Sequence, residues 1–183
     1  MKVGFEYKEA EEREPVRIEQ VIAEKPGGGM VANQEFDVLP TTAVYEDENG
    51  QFKPIKAYRL AADITADDTT IQIEKGSGIK QGDILGTGKK SVACTAVTEG
   101  DTTTEVTVSL GVALKKGTVL YQAKSVSATT AAPLATPIYV TGNTVYGNKG
   151  DQPVRLINIA NLRKETANIA SEVAALLPGI TLV

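Results

Sequence analysis

Residues 70–85 align without gaps on residues 105–120, an offset of 35 positions. Ile71 matches Val106, Ile73 matches Val108, Gly76 matches Gly111, and Ile79 matches Leu114. Lys80 matches Lys115, Gly82 matches Gly117, and Ile84-Leu85 matches Val119-Leu120. Each copy reads as strand, glycine turn, apolar anchor, Lys-x-Gly turn, strand. A unit repeated at such a period is one supersecondary element used more than once. Each hairpin is apolar on one face only, so two copies bury those faces against each other. The expected product is mainly β: a small pseudo-twofold barrel or sandwich built from a repeated hairpin. Ile71, Ile73, Ile79, Ile84 and Leu85 are expected in one buried cluster with Val106, Val108, Leu114, Val119 and Leu120.

The flanks carry further strand signals. Asn49-Gly50 stands between Tyr45 and Phe52 and readily takes the positive φ of a tight hairpin turn, which predicts strands near 42–47 and 51–57. Val16, Ile18 and Val21-Ile22 give a short alternating stretch, read as an edge strand in an N-terminal arm over 1–35. Gly27-Gly28-Gly29 is read as a flexible joint in that arm. The repeat region occupies 36–122. Small residues and two prolines over 123–137 read as a linker. Short strands near 138–140, 144–146 and 154–157 follow within a last segment, 138–183. Ile159, Leu162, Thr166, Ile169, Val173 and Leu176 are spaced 3, 4, 3, 4, 3. That heptad spacing predicts one C-terminal α-helix from about Asn161 to Leu177, stopped by Pro178-Gly179. The helix either meets its copies along this seam or covers the protein's own sheet. Ile180 to Val183 is read as a final strand or plug.

Composition narrows the function. The chain has no histidine and no tryptophan, and a single cysteine, Cys94. The commonest general base and metal ligand is therefore missing, and a Cys–His dyad is impossible. One cysteine allows no internal disulfide, which fits a reducing compartment. No secretion signal or transmembrane run is read in the sequence. Residues 1–24 hold seven acids and four bases, whereas 58–124 hold eight of each. Nothing is basic enough to track a phosphate backbone, so neither nucleic acid nor membrane is an expected partner.

Local motifs favour plain structural readings. Gly86-Thr87-Gly88-Lys89-Lys90-Ser91 lacks Walker spacing: Asp83 stands where a glycine is needed, and Lys90 where a Ser or Thr follows the lysine. Asp47-Glu48-Asn49-Gly50 places its glycine too early for a calcium loop. Asp63, Asp67 and Asp68 read as a polar turn. Cys94 reads as a buried small hydrophobe. No convergent catalytic set stands out, so the expectation is no enzyme, no metal and no cofactor.

Three pieces of the chain carry a family likeness. The first is Leu39-Pro40-Thr41-Thr42-Ala43-Val44 with Asp47 to Gly50 and Pro54-Ile55-Lys56. The second is Thr70 to Gly76 with Ile79 to Leu85, echoed by Leu114-Lys115-Lys116-Gly117. The third is Ala174 to Val183. In this order they resemble head-fibre or capsid-decoration proteins of tailed bacteriophages, including crAss-like ones. The likeness covers about 36–121 and the last ten residues. It implies a virion protein on the outer capsid surface, made in the bacterial cytoplasm, usually oligomeric, with no catalytic residues. The implied partner is the major capsid protein or another capsid accessory. Fibres favour a trimer, and β-branched residues facing leucines leave a dimer open. The N-terminal arm is the expected anchor, through Phe5, Tyr7, Val16, Ile18, Val21 and Ile22, adding a strand to a neighbour's sheet. The oligomerising residues are expected to be Ile159, Leu162, Thr166, Ile169, Val173 and Leu176. A carbohydrate-binding or adhesion module of a phage tail or bacterial surface is the alternative, weakened by the lack of tryptophan.

Overall fold

The computed structural model describes residues 15–183. The fold is mainly β, with one short helix. Four strands come first: β1 (Ile18–Glu24), β2 (Gly29–Val31), β3 (Ala43–Glu46) and β4 (Phe52–Pro54). The repeat region holds β5 (Ala57–Arg59), β6 (Thr70–Glu74), β7 (Ile84–Gly86), β8 (Ser91–Ala93), β9 (Ala96–Glu99), β10 (Thr103–Thr107) and β11 (Val119–Gln122). Then come β12 (Tyr139–Thr141), β13 (Gln152–Val154), β14 (Leu156–Leu162), α1 (Ser171–Ala174) and β15 (Ile180–Leu182).

The repeat folds into a pseudo-twofold barrel, one of the two forms expected of it. Strands β6 and β10 pair antiparallel with Ile71 opposite Val106, so repeat-equivalent residues face each other on the local axis. The same holds at Gly86 and Tyr121, where β7 meets β11. On one side β11 pairs β5, whose continuation bonds to β6 through Ala61 N–H to Gln72 O at 2.8 Å. On the other side β7 pairs β8, whose continuation bonds to β10 through Thr95 N–H to Thr107 O at 2.9 Å and then through β9. The ring thereby closes.

The symmetry reaches further upstream than the aligned segments. Gly82 N–H donates to Cys94 O at 3.0 Å and Cys94 N–H to Asp83 O at 2.9 Å. In the other half, Gly117 N–H donates to Leu60 O at 2.8 Å and Leu60 N–H to Thr118 O at 2.9 Å. Cys94 therefore stands where Leu60 stands in the other copy. Both are buried in a core with Tyr58, Ile71, Ile73, Ile79, Leu85, Val106, Val108, Leu110 and Leu120.

The predicted ten-residue cluster divides. Leu114 packs on the margin of this core, while Ile84 and Val119 turn outward onto a second core. Alternation along a strand is the reason: Leu85 and Leu120 point into the barrel, so their neighbours point out of it. The outward pair gives the barrel a place to dock.

The other strands form a curled sheet in the order β1-β14-β12-β3-β4-β2-β13, with β15 parallel to β14. The chain runs from β1 into β2 and from β13 into β14, so the sheet bends back on itself around Val31, Val38, Val44, Phe52, Val145, Val154 and Leu156. The second core lies between this sheet and the barrel. It includes Ala43, Ile55, Tyr121, Val140, Ile157, Leu162, Ile169, Val173 and Leu177.

Four expectations are corrected here. The one C-terminal helix is present but does not run from 161 to 177: α1 spans only Ser171–Ala174, and residues 156–162 are a strand. Ile157, Ile159, Asn158 and Asn161 are poor helix formers, and β1, β12 and β15 supply backbone partners a helix would forgo. The triple glycine is a tight turn within the sheet: Gly28 N–H donates to Lys25 O at 3.0 Å, with Gly27 and Gly28 at φ +76 and +63. Residues 18–31 are sheet strands, so the free arm expected over 1–35 does not extend through them. The segment 123–137 is not an open linker. Ser91 and Ser127 exchange backbone bonds of 2.8 and 3.0 Å, Leu134 N–H donates to Gln122 O at 2.9 Å, and Ala123 is buried.

Candidate interaction surface

Part of each group of residues expected to bind partners lies on one ribbon: Ile18, Val21 and Ile22 in β1, and Ile159 and Leu162 in β14. β1 pairs β14 antiparallel, with Ile18 opposite Leu162, Val21 opposite Ala160, and Ala23 opposite Ile159. Ile18 and Val21 lean inward on the second core. Val16, Ile22 and Ile159 stay exposed, at 54%, 58% and 39%. Ion pairs flank them: Glu19 with Arg163, and Glu24 with Arg155 at 3.0 Å. Such exposed pairs contribute little stability, but each cancels a charge on the ribbon. β1 is also an edge strand, and its pairing with β14 shifts register three times, which twists the edge.

The expected helical seam is not assembled. Leu162 is buried in β14, Ile169 and Val173 are buried in the second core, and Ile159 points outward from β14. Thr166 lies in a loop, donating through Oγ1 to Val16 O and accepting from Arg17 Nη1 at 2.7 Å through its carbonyl. Leu176 is exposed beyond α1. Phe5 and Tyr7 lie outside the described residues.

The remaining motifs are turns and packing. Asp47 Oδ1 accepts from Asn49 N–H at 2.9 Å and Gln51 N–H at 3.0 Å, closing the hairpin turn. Asp68 Oδ2 caps Thr65 N–H at 2.7 Å. Asp63 takes Lys115 Nζ at 2.7 Å and Lys116 N–H at 2.8 Å, and these bonds hold its carboxyl below the usual range, the lysine foremost. Gly88 N–H donates to Tyr121 Oη at 3.2 Å between β7 and β8, in place of a phosphate loop. Burial pushes the Cys94 thiol up, and it donates to Lys80 O at 3.0 Å.

Sequence reading missed the polar groups at the seam between barrel and curled sheet. Asp83 Oδ2 accepts from Lys56 Nζ at 2.8 Å, Tyr58 Oη at 3.1 Å and Lys80 N–H at 3.0 Å. Burial first, and then the Asp83 charge, push the Tyr58 hydroxyl well above the usual range, so it stays a donor. Arg59 is buried, and its fork donates to Gly117 O at 2.7 Å, Glu165 O at 2.9 Å and Ala167 O. Thr41, at φ +70, is left-handed despite its branched side chain. Its amide donates to Thr141 O at 2.7 Å, and its Oγ1 accepts from Asn168 N–H at 2.6 Å. Asn168 Nδ2 donates to Thr42 Oγ1 at 2.9 Å. The Leu-Pro-Thr-Thr run was visible in the sequence, but not the partners that hold it. Among the described residues, no group of three or more His, Cys, Asp or Glu is placed to hold a metal.

No protein-family model, curated protein or solved structure matches this chain.

Proposed function

We propose that the chain is a structural, non-catalytic protein of a tailed-phage virion, seated on the outer capsid surface as a head fibre or decoration and working as a homo-oligomer. Its partner in this reading is the major capsid protein or another capsid accessory. The observation that carries the proposal is the β1–β14 ribbon. There β1 lies at a sheet edge and leaves Ile22 exposed, Ile159 is exposed on the paired strand, and the charges of Glu19 and Glu24 are matched by Arg163 and Arg155. A patch low in free charge and apolar at its centre is the composition of an interface core. The seam side chains also fit a structural role, since Lys56, Asp83, Tyr58 and Arg59 are engaged in bonds that join parts of the chain. Attachment here uses the outward residues of β1, because Ile18 and Val21 already pack inside. A trimer is favoured by analogy with fibres.

The adhesion reading gains less support. Among the described tyrosines and phenylalanines, Tyr146 alone is exposed, at 58%, and sugar sites usually present aromatic faces. The decisive experiment has two arms. Mass spectrometry of purified virions should find the chain at a fixed ratio to the major capsid protein. An Ile22→Ser/Ile159→Ser variant that keeps its circular dichroism spectrum should lose co-sedimentation with capsids. Full binding by that variant moves the attachment surface elsewhere, and absence from virions ends the virion reading.

A further inference from the structure

A small cavity of about 30 Å³ opens at the seam between the barrel and the curled sheet. The barrel contributes Ser77, in the glycine turn after β6, together with Arg59. The sheet side contributes Leu39 and Thr42, and the segment before α1 contributes Asn168. Two features set this place apart. Ser77 Oγ is shielded from solvent and has no hydrogen-bond partner among the described residues, the one buried side-chain polar atom of which this is true. Thr42 and Asn168 in the lining belong to a polar cluster with Thr41 and Thr141. Thr41, Thr42, Thr141 and Asn168 bond to one another and to Leu39 O, and Asn168 spends its Nδ2 on Thr42, leaving Oδ1 as an acceptor.

A buried hydroxyl without a partner forfeits its hydration with nothing in return, so native proteins rarely leave one so. A site holds water when it is polar and offers at least about 10–15 Å³ to the water centre. An apolar cavity of the same size stays dry. The cavity here meets both conditions and has room for no more than about two waters on that measure.

We propose that this cavity is a structural water site, in which one or two bound waters accept from Ser77 Oγ and donate to Asn168 Oδ1, bridging the first repeat's turn to the Thr41–Thr42 cluster. The repeat itself shows why the barrel needs such a device. The residue equivalent to Ser77 in the second copy is Val112, which packs at the margin of the barrel core. The polar side chain thus occurs only in the copy whose glycine turn lines this cavity.

High-resolution diffraction from the full chain tests the geometry. A density peak bonded to Ser77 Oγ and to Asn168 or Thr42 is expected. Ser77 Oγ bonded directly to a protein carbonyl, with no peak in the cavity, overturns the proposal. Water-¹⁷O magnetic relaxation dispersion tests it in solution, on the full chain and its Ser77→Ala variant. The variant should lose a slowly exchanging water that the parent holds, and an unchanged dispersion overturns the role given to Ser77. If Ser77→Ala does not fold, the diffraction result on the parent decides.

Discussion

Arg59 shows how one side chain joins elements that are far apart in sequence. Its guanidinium donates to carbonyls at Gly117, Glu165 and Ala167, tying the end of the second repeat to the segment before α1. Removing it orphans the buried carbonyl of Ala167, at about 1–3 kcal/mol, while the carbonyls of half-buried Gly117 and exposed Glu165 can turn to water. Arg59→Ala is therefore expected to lose about 1–3 kcal/mol in urea unfolding. Arg59→Lys should recover only part of that loss, since an ammonium cannot reproduce the fork. Asp63 makes a prediction about pH. Lys115 foremost, and the Lys116 amide next, lower its folded value below the ordinary 3.8. The unfolded chain therefore takes up this proton first as pH falls. The contribution is present above the ordinary value and is lost as pH falls through the lower, folded one. Melting temperature should drop between about pH 5 and about pH 2, and Asp63→Asn should flatten that slope, an effect that shrinks in high salt.

Among the elements, the glycine turn after β6 separates backbone strain from crowding. Gly76 and Gly78 both take positive φ, +84 and +66. A Cβ at Gly76 meets nothing within 4 Å, whereas one at Gly78 falls 2.3 Å from the Phe36 ring. Gly76→Ala should thus cost about 1–2 kcal/mol from conformation alone. Gly78→Ala should cost clearly more in the same denaturation assay, because Phe36 must leave its seat. The paired repeat strands predict coupling. Ile71 and Val106 are buried opposite each other across the axis, so each truncation to Ala should cost about 2–4 kcal/mol. The double variant should depart from additivity by at least about 0.5 kcal/mol, since the two side chains line one cavity.

At the scale of the whole molecule, the N-terminal strand belongs to the fold. β1 covers β14 and seats Ile18 and Val21 on the second core. Deleting residues 1–26 is therefore expected to lower the urea midpoint and promote association through the uncovered edge of β14. Deleting 1–14 leaves β1 in place and should keep the midpoint. Light scattering beside the unfolding curves would show both effects, and equal midpoints for the two deletions would mean that β1 adds nothing to the fold.

The sequence alone determined a mainly β unit built from a repeated hairpin, because a gapless repeat with strand alternation and two turns per copy leaves few ways to bury both apolar faces, but it left barrel and sandwich open. It also determined the 47–50 hairpin, where Gly50 alone takes the positive φ, at +76, and Asp47 closes the turn. It did not determine residues 156–177. There a heptad spacing coexists with Asn and β-branched residues, and only the offer of strand partners on both sides of β14 decided for strand over helix. Nor did it determine the seam. Thr41, Arg59, Ser77 and Asn168 are separated by many residues, and each is an ordinary polar side chain by local pattern. Their meaning arises when barrel and sheet come together and every buried donor and acceptor must find a partner.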